Sequence, residues 1–129
     1  MNETDRFASH FRDLIVYQEA FQIAHGVFEL SKLFPRSETF ALTDQLRRSG
    51  RSVGAQIAEA WTKRRYRKHF VSKLTDADAE VAETMHWLAV AEDCSYTDPA
   101  RVSALERDLR TVGRRISTMI RKADEFCQT

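Results

Sequence analysis

The chain has 129 residues, 43% of them hydrophobic and 30% charged, and a formal net charge of +1. That length and mixture fit a single globular domain spanning residues 1–129 and exclude a disordered or fibrous chain. Four glycines and two prolines are too few for the turns of an all-β fold, and two cysteines, Cys94 and Cys127, cannot frame a disulfide scaffold.

Met1 to His10 is polar, carries Glu3, Asp5 and Arg6, and lacks the apolar core of a signal peptide. No run of 18 apolar residues occurs, so no membrane contact is expected. A cytoplasmic location with reduced thiols is the expectation.

The first helix is predicted over about 9–33. Val16, Ala20, Ile23, Val27, Leu30 and Phe34 recur at steps of four and three. Tyr17, Phe21, Ala24 and Phe28 form a second stripe beside them. The resulting apolar arc is wider than one helix–helix seam requires and fits a second contact, between subunits. Phe34-Pro35 ends the helix, because proline pushes the preceding residue out of the α region.

The second helix is predicted over about 38–64. Leu42, Leu46, Ser49, Val53, Ile57 and Ala60 form its inner row, and Gly50, Gly54 and Ala58 form a small-residue row at intervals of four. Glycine in a helix costs about 1 kcal/mol relative to alanine, so this row predicts a close crossing with another helix. The third helix is predicted over 66–95, with Phe70, Leu74, Ala77, Val81, Met85, Leu88 and Ala91 on one face. Asp98-Pro99 then supplies an N-cap and a first-turn proline. The fourth helix follows over 99–126, with Val102, Leu105, Leu109, Val112, Ile116, Met119, Ala123 and Phe126 in unbroken three-four spacing. Short connections between long helices predict an all-α, antiparallel up-down-up-down four-helix bundle.

Charge is polarised locally. Gln45 to Lys73 holds nine basic residues against Glu59 alone, whereas Leu74 to Asp98 holds seven acidic residues and no basic one. The densest run, Lys63-Arg64-Arg65-Tyr66-Arg67-Lys68, falls at the turn between the second and third helices. Cations interleaved with an aromatic ring can hold phosphates and stack a base, which makes these six residues the candidate contact for RNA or DNA. A solvated loop, or ion pairs with acidic residues of a neighbouring subunit, is the plainer use of such a run.

Glu83-x-x-His86 has the spacing of one half of a di-iron site. No second copy exists, so no metal or other cofactor is expected. A nucleophile elbow, a Cys–His pair and a phosphate-binding glycine loop are all missing from the pattern, so no catalytic residue is assigned and no enzyme activity is expected. Arg47 and Arg48 on the second helix match the heights of Glu80 and Glu83 on the third. Together with Glu59 they are expected to form a structural polar seam that sets helix register, because an unpaired buried charge is costly.

Four segments in order resemble one family, the 23S rRNA intervening-sequence proteins. They are Leu14-Ile15-Val16-Tyr17-Gln18-Glu19-Ala20; Phe34-Pro35 with Glu38 and Leu42-Thr43-Asp44-Gln45-Leu46-Arg47-Arg48; Ser52-Val53-Gly54-Ala55-Gln56-Ile57-Ala58-Glu59-Ala60; and Glu80-Val81-Ala82-Glu83-Thr84-Met85-His86-Trp87-Leu88. The likeness runs from Phe11 to about Asp93 and more loosely through the fourth helix. Departures fall at Ala41, Gly54, Gln56 and Ala60, where the family has Gly, Pro, Asn and Gly. The resemblance implies an antiparallel four-helix bundle assembled as a ring of five, without enzymatic activity. Related accessory proteins of diversity-generating retroelements form basic rings linked to nucleic acid and a reverse transcriptase. The expected function is a non-enzymatic homo-oligomeric scaffold or adapter, touching RNA or DNA through the basic turn or engaging a protein partner. The alternative is a pure protein–protein module, in which the basic turn pairs with the acidic third helix of a neighbouring subunit around Asp76, Asp78 and Glu80.

Overall fold

The computed structural model describes residues 8–127. The polar start of the chain with Glu3, Asp5 and Arg6 lies outside the described residues.

Helix α1 spans Ile15–Ser31. It begins later than the expected Ser9. A 3-10 turn at Phe11–Asp13 comes first, its start held by the His10 imidazole accepting from the Arg12 N–H at 3.2 Å, and Leu14 then takes an extended conformation (ψ 129°) that separates the two. Helix α2 spans Asp44–Thr62. The helical path toward it starts at Arg36, through a 3-10 turn (Arg36–Glu38) and a π-helical turn (Thr39–Thr43). Across this wide turn Leu42 enters the core while Phe40 is left 81% exposed. Such a π-helical turn is invisible to a pattern search that assumes 3.6 residues per turn.

Helix α3 spans Arg67–Asp93, and α4 spans Pro99–Arg121. The Asp98 carboxylate accepts from the Arg101 N–H at 2.9 Å, the expected cap. The expected run to Phe126 is broken at Lys122 (φ −104°, ψ 28°), and a one-turn helix α5 (Ala123–Phe126) follows. With that break the Phe126 ring sits 6.1 Å from the Trp61 ring and 6.0 Å from the Phe70 ring, closing one end of the core.

The helices alternate in direction. Arg48 meets Glu83 while Lys73 meets Glu59, so α2 and α3 run oppositely. Glu19 meets Arg115 at 2.6 Å while Gly26 faces Leu105, so α1 and α4 do the same. Val27 lies against Gly50 and Tyr17 against Gly54, which sets α1 antiparallel to α2. Asp78 lies beside Gly113 and Arg67 pairs with Asp124, which orders α3 against α4 and α5. Each helix packs on its sequence neighbours, and α1 also packs on α4.

The core follows the predicted stripes. Val16, Ala20, Ile23, Val27, Leu30 and Phe34 are all buried, as are the inner rows of α2 and α4 apart from half-buried Leu105. Met85 is half-buried on α3. Among the described residues no helix is long and apolar enough to cross a membrane.

Candidate nucleic-acid interface

The turn joining α2 to α3 is short and tight. Lys63 N–H closes on Ala60 O at 2.9 Å, Tyr66 N–H closes on Lys63 O at 3.0 Å, and Tyr66 then enters α3 in an extended conformation. The six candidate residues have different environments. Arg64 folds back: its Nε donates to Trp61 O at 2.9 Å, and its guanidinium carbon lies 3.7 Å from the centre of the Trp61 ring. Burial lowers its pKa from the ordinary arginine value. Arg67 donates to Asp124 at 2.7 Å. Lys63, Arg65 and Lys68 are exposed, and no acidic side chain among the described residues pairs with them. Tyr66 is 57% exposed, with Arg65 5.9 Å from its ring centre and the His69 ring at 5.4 Å.

Helix dipoles sharpen the local field. Lys63 and Arg64 follow the C-terminus of α2, where positive charge is favourable. Arg67 and Lys68 occupy the first turn of α3, which contains no acidic residue and has no side-chain cap. Positive charge at a helix N-terminus is unfavourable by about 0.3–1 kcal/mol per group.

In the expected polar seam, Arg48 lies between Glu80 and Glu83, 3.5 Å from the former and in direct contact with the latter. The Glu83 hydrogen bond raises the Arg48 pKa. Burial, with the neighbouring Glu83 carboxylate, raises the Glu80 carboxyl above its ordinary value against the attraction of Arg48. Deeper between the same helices, Thr84 Oγ1 lies 3.0 Å from Ser49 Oγ. The other two residues of the expected seam have different partners: Arg47 leaves the α2–α3 face, while Glu59 stays on it, further along α2. Arg47 is turned toward α1, where its Nε donates to Ser31 Oγ at 2.7 Å and its guanidinium lies 4.7 Å from the Phe28 ring centre. Glu59 instead pairs with Lys73 at 2.8 Å, and that hydrogen bond raises the lysine pKa.

A second surface lies along α1 and α2. The outer α1 stripe of Tyr17, Phe21 and Phe28 walls a groove of about 490 Å³ whose floor includes Ala20, Gly54 and Ala58. Phe21 is 59% exposed. At one end, Arg47, Arg51 and Lys32 surround the Phe28 ring at 4.7, 5.6 and 4.9 Å.

The family model described as 23S rRNA-intervening sequence protein matches residues 12–118. The chain belongs to that family. It is similar to a protein of unknown function from the S23 ribosomal protein family of Bacteroides thetaiotaomicron VPI-5482, solved by crystallography. The two are 27% identical with a TM-score of 0.74, and the match covers 82% of this chain and 98% of the other. No curated protein matches the chain.

In this member of the 23S rRNA-intervening sequence family, the Glu83–His86 pair is divided between two tasks. Glu83 holds Arg48, while His86 is exposed with its ring 4.8 Å from Trp87. Among the described residues no group of three His, Cys, Asp or Glu side chains could hold a metal ion. The cation cluster around Phe28 was not singled out in the sequence. Its only signal there was the second apolar stripe of α1, facing a stretch of α2 rich in arginine.

Proposed function

We propose that this protein is a non-enzymatic, self-associating helical-bundle adapter that holds RNA or DNA phosphates with the turn between α2 and α3. One observation carries the reading: Lys63, Arg65 and Lys68, with no acidic partner among the described residues, gather with the exposed Tyr66 in the turn that leads into the uncapped N-terminus of the long helix α3. Phosphates relieve the repulsion that such an arrangement creates, and amide groups at a helix N-terminus add to their binding. Arg64 acts differently from its neighbours: stacked on Trp61, it braces the turn. Self-association is supported by the α1–α2 groove, whose exposed aromatic wall is more than one chain covers. The family resemblance implies five subunits, and repetition of a weak site then multiplies affinity.

The test is titration of labelled RNA and DNA oligonucleotides at increasing salt. The combined substitution of Lys63→Glu, Arg65→Glu and Lys68→Glu is expected to abolish binding while leaving the assembly's mass unchanged. Binding that ignores salt would overturn the reading.

The protein–protein module remains the second reading, favoured by the exposed Asp76 and Asp78 on α3. Under that reading the same charge reversals dissociate the assembly.

A further inference from the structure

We infer that the α2–α3 turn is a reader of single strands, with Tyr66 and the Arg64–Trp61 pair as two stacking platforms among phosphate-holding cations. This inference rests on the phosphate-binding reading above and specifies which form of nucleic acid the turn takes.

Cations alone carry no strand preference, because single strands and duplexes both present phosphates. The rings make the difference. Inside a duplex the base faces are covered by their neighbours, so an exposed aromatic ring gains nothing from them. In a single strand each base offers a free face, and stacking on an aromatic ring or a guanidinium plane becomes available.

Tyr66 has the placement such a platform needs. It sits where the turn enters α3, more than half exposed, and among the described residues Arg65 and His69 lie beside its ring. A tyrosine serving the core would be turned inward, as Phe70 is one helical turn later, fully buried against Phe126. Arg64 forms the second platform. Its guanidinium is fixed on the Trp61 ring, and both residues line a cavity of about 310 Å³ with Thr62, Arg65 and Phe126. That volume is at the small end of ligand sites (~300–1,000 Å³) and suits one planar base. The orientation of the guanidinium is set before any ligand arrives, by the Trp61 carbonyl and ring together, so little freedom is lost on stacking. Lys63, Arg65 and Lys68 lie in the same turn and supply the phosphate contacts.

The experiment compares four probes on the full chain at one salt concentration: a mixed-sequence single strand of about 12 nucleotides, within the site sizes of single-strand binders, as RNA and as DNA, and the duplex of each. Fluorescence anisotropy is the readout. Single strands are expected to bind about a hundredfold more tightly than duplexes, about tenfold for each of two stacked bases. Tyr66→Ala is expected to remove about tenfold of that preference and leave duplex affinity unchanged, whereas Tyr66→Phe keeps it. Lys68→Ala weakens every probe by the same factor. The RNA and DNA arms show whether the 2′-hydroxyl adds to recognition. Equal affinity for strand and duplex in the unaltered protein, or Tyr66→Ala weakening both alike, overturns the inference and leaves phosphate binding standing. No binding of any probe overturns the phosphate reading and this inference with it.

Discussion

At the scale of single residues, neighbours on one helix can have opposite duties. Arg47 and Arg48 differ by about 100° of helical rotation. That step sends Arg48 to Glu80 and Glu83 on α3, and Arg47 to Ser31 and Phe28 on α1. Matching heights on α2 and α3 made the Arg48 contacts legible in sequence. The pattern could not separate the two arginines, because both flank the same buried row. Glu83→Ala is expected to lower stability in urea melts by about 0.5–1 kcal/mol, since Arg48 and Glu83 are both substantially exposed; an unchanged midpoint would remove the seam as a stabilising element. Glu80 behaves differently. Its folded-state pKa is raised by burial, so folding favours its protonated form and the ionised form weighs against the fold at neutral pH. Glu80→Gln is therefore expected to stabilise the protein at pH 7, with the gain fading as pH falls through the carboxylate range. A third pair ties the start of the α2 path to the α3–α4 turn, where the Tyr96 hydroxyl donates to Glu38 at 2.9 Å and its pKa is pushed up to about 12. A raised folded pKa gives stability that is complete below the unfolded value and lost as pH rises through the folded one. Tyr96→Phe should thus be less stable than the unaltered protein at pH 8, and the gap should close as pH approaches about 12.

At the scale of elements, the interiors of the helices and the Asp98–Pro99 start of α4 were legible, whereas the starts of α1 and α2 and the end of α4 were not. Steps of three and four located the buried stripes because core packing repeats that spacing over five or six turns. The start of α2 depends on a π-helical turn, and the end of α4 on a single break at Lys122. Neither leaves a periodic trace. The α2 glycine row also changes meaning. It does pack on α1, but a β-carbon at Gly50 would stand 3.5 Å from Val27, and one at Gly54 would stand 3.6 Å from Tyr17. Those are ordinary contacts, so helix propensity decides the outcome. Gly50→Ala is expected to stabilise the fold by about 0.5–1 kcal/mol in thermal or urea melts. Gly26 is tighter, with Leu105 Cδ2 at 2.9 Å from the added atom, and there the gain depends on whether that flexible leucine end moves aside. The terminal helix α5 matters through one side chain. Phe126→Ala empties the space between Trp61 and Phe70 and should cost about 3–5 kcal/mol. It also removes a wall of the cavity beside Arg64, linking the stability of the bundle's end to the basic turn.

At the scale of the whole molecule, a net charge of +1 conceals a basic turn, a basic end to the α1–α2 groove and an acidic stretch of α3. The sequence showed that polarity, but not which charges stay free. Arg67 meets Asp124 from 57 positions away, and that contact depends on the break before α5. Among the described residues, three exposed cations of the six-residue run have no acidic partner: Lys63, Arg65 and Lys68. This count gives the proposed function a quantitative consequence. Each phosphate neutralised on a single strand contributes about 0.7 to the slope of log affinity against log salt, so one subunit contributes a slope of about 2. A short oligonucleotide reaching one turn should show that value. Longer strands spanning several turns of an assembly should show steeper slopes, limited by the number of subunits that light scattering finds in solution. A slope fixed near 2 at every length would mean that the turns act singly and that assembly adds no avidity. A slope near zero would mean that the free cations hold no phosphate, and the proposed function would fail on that measurement alone.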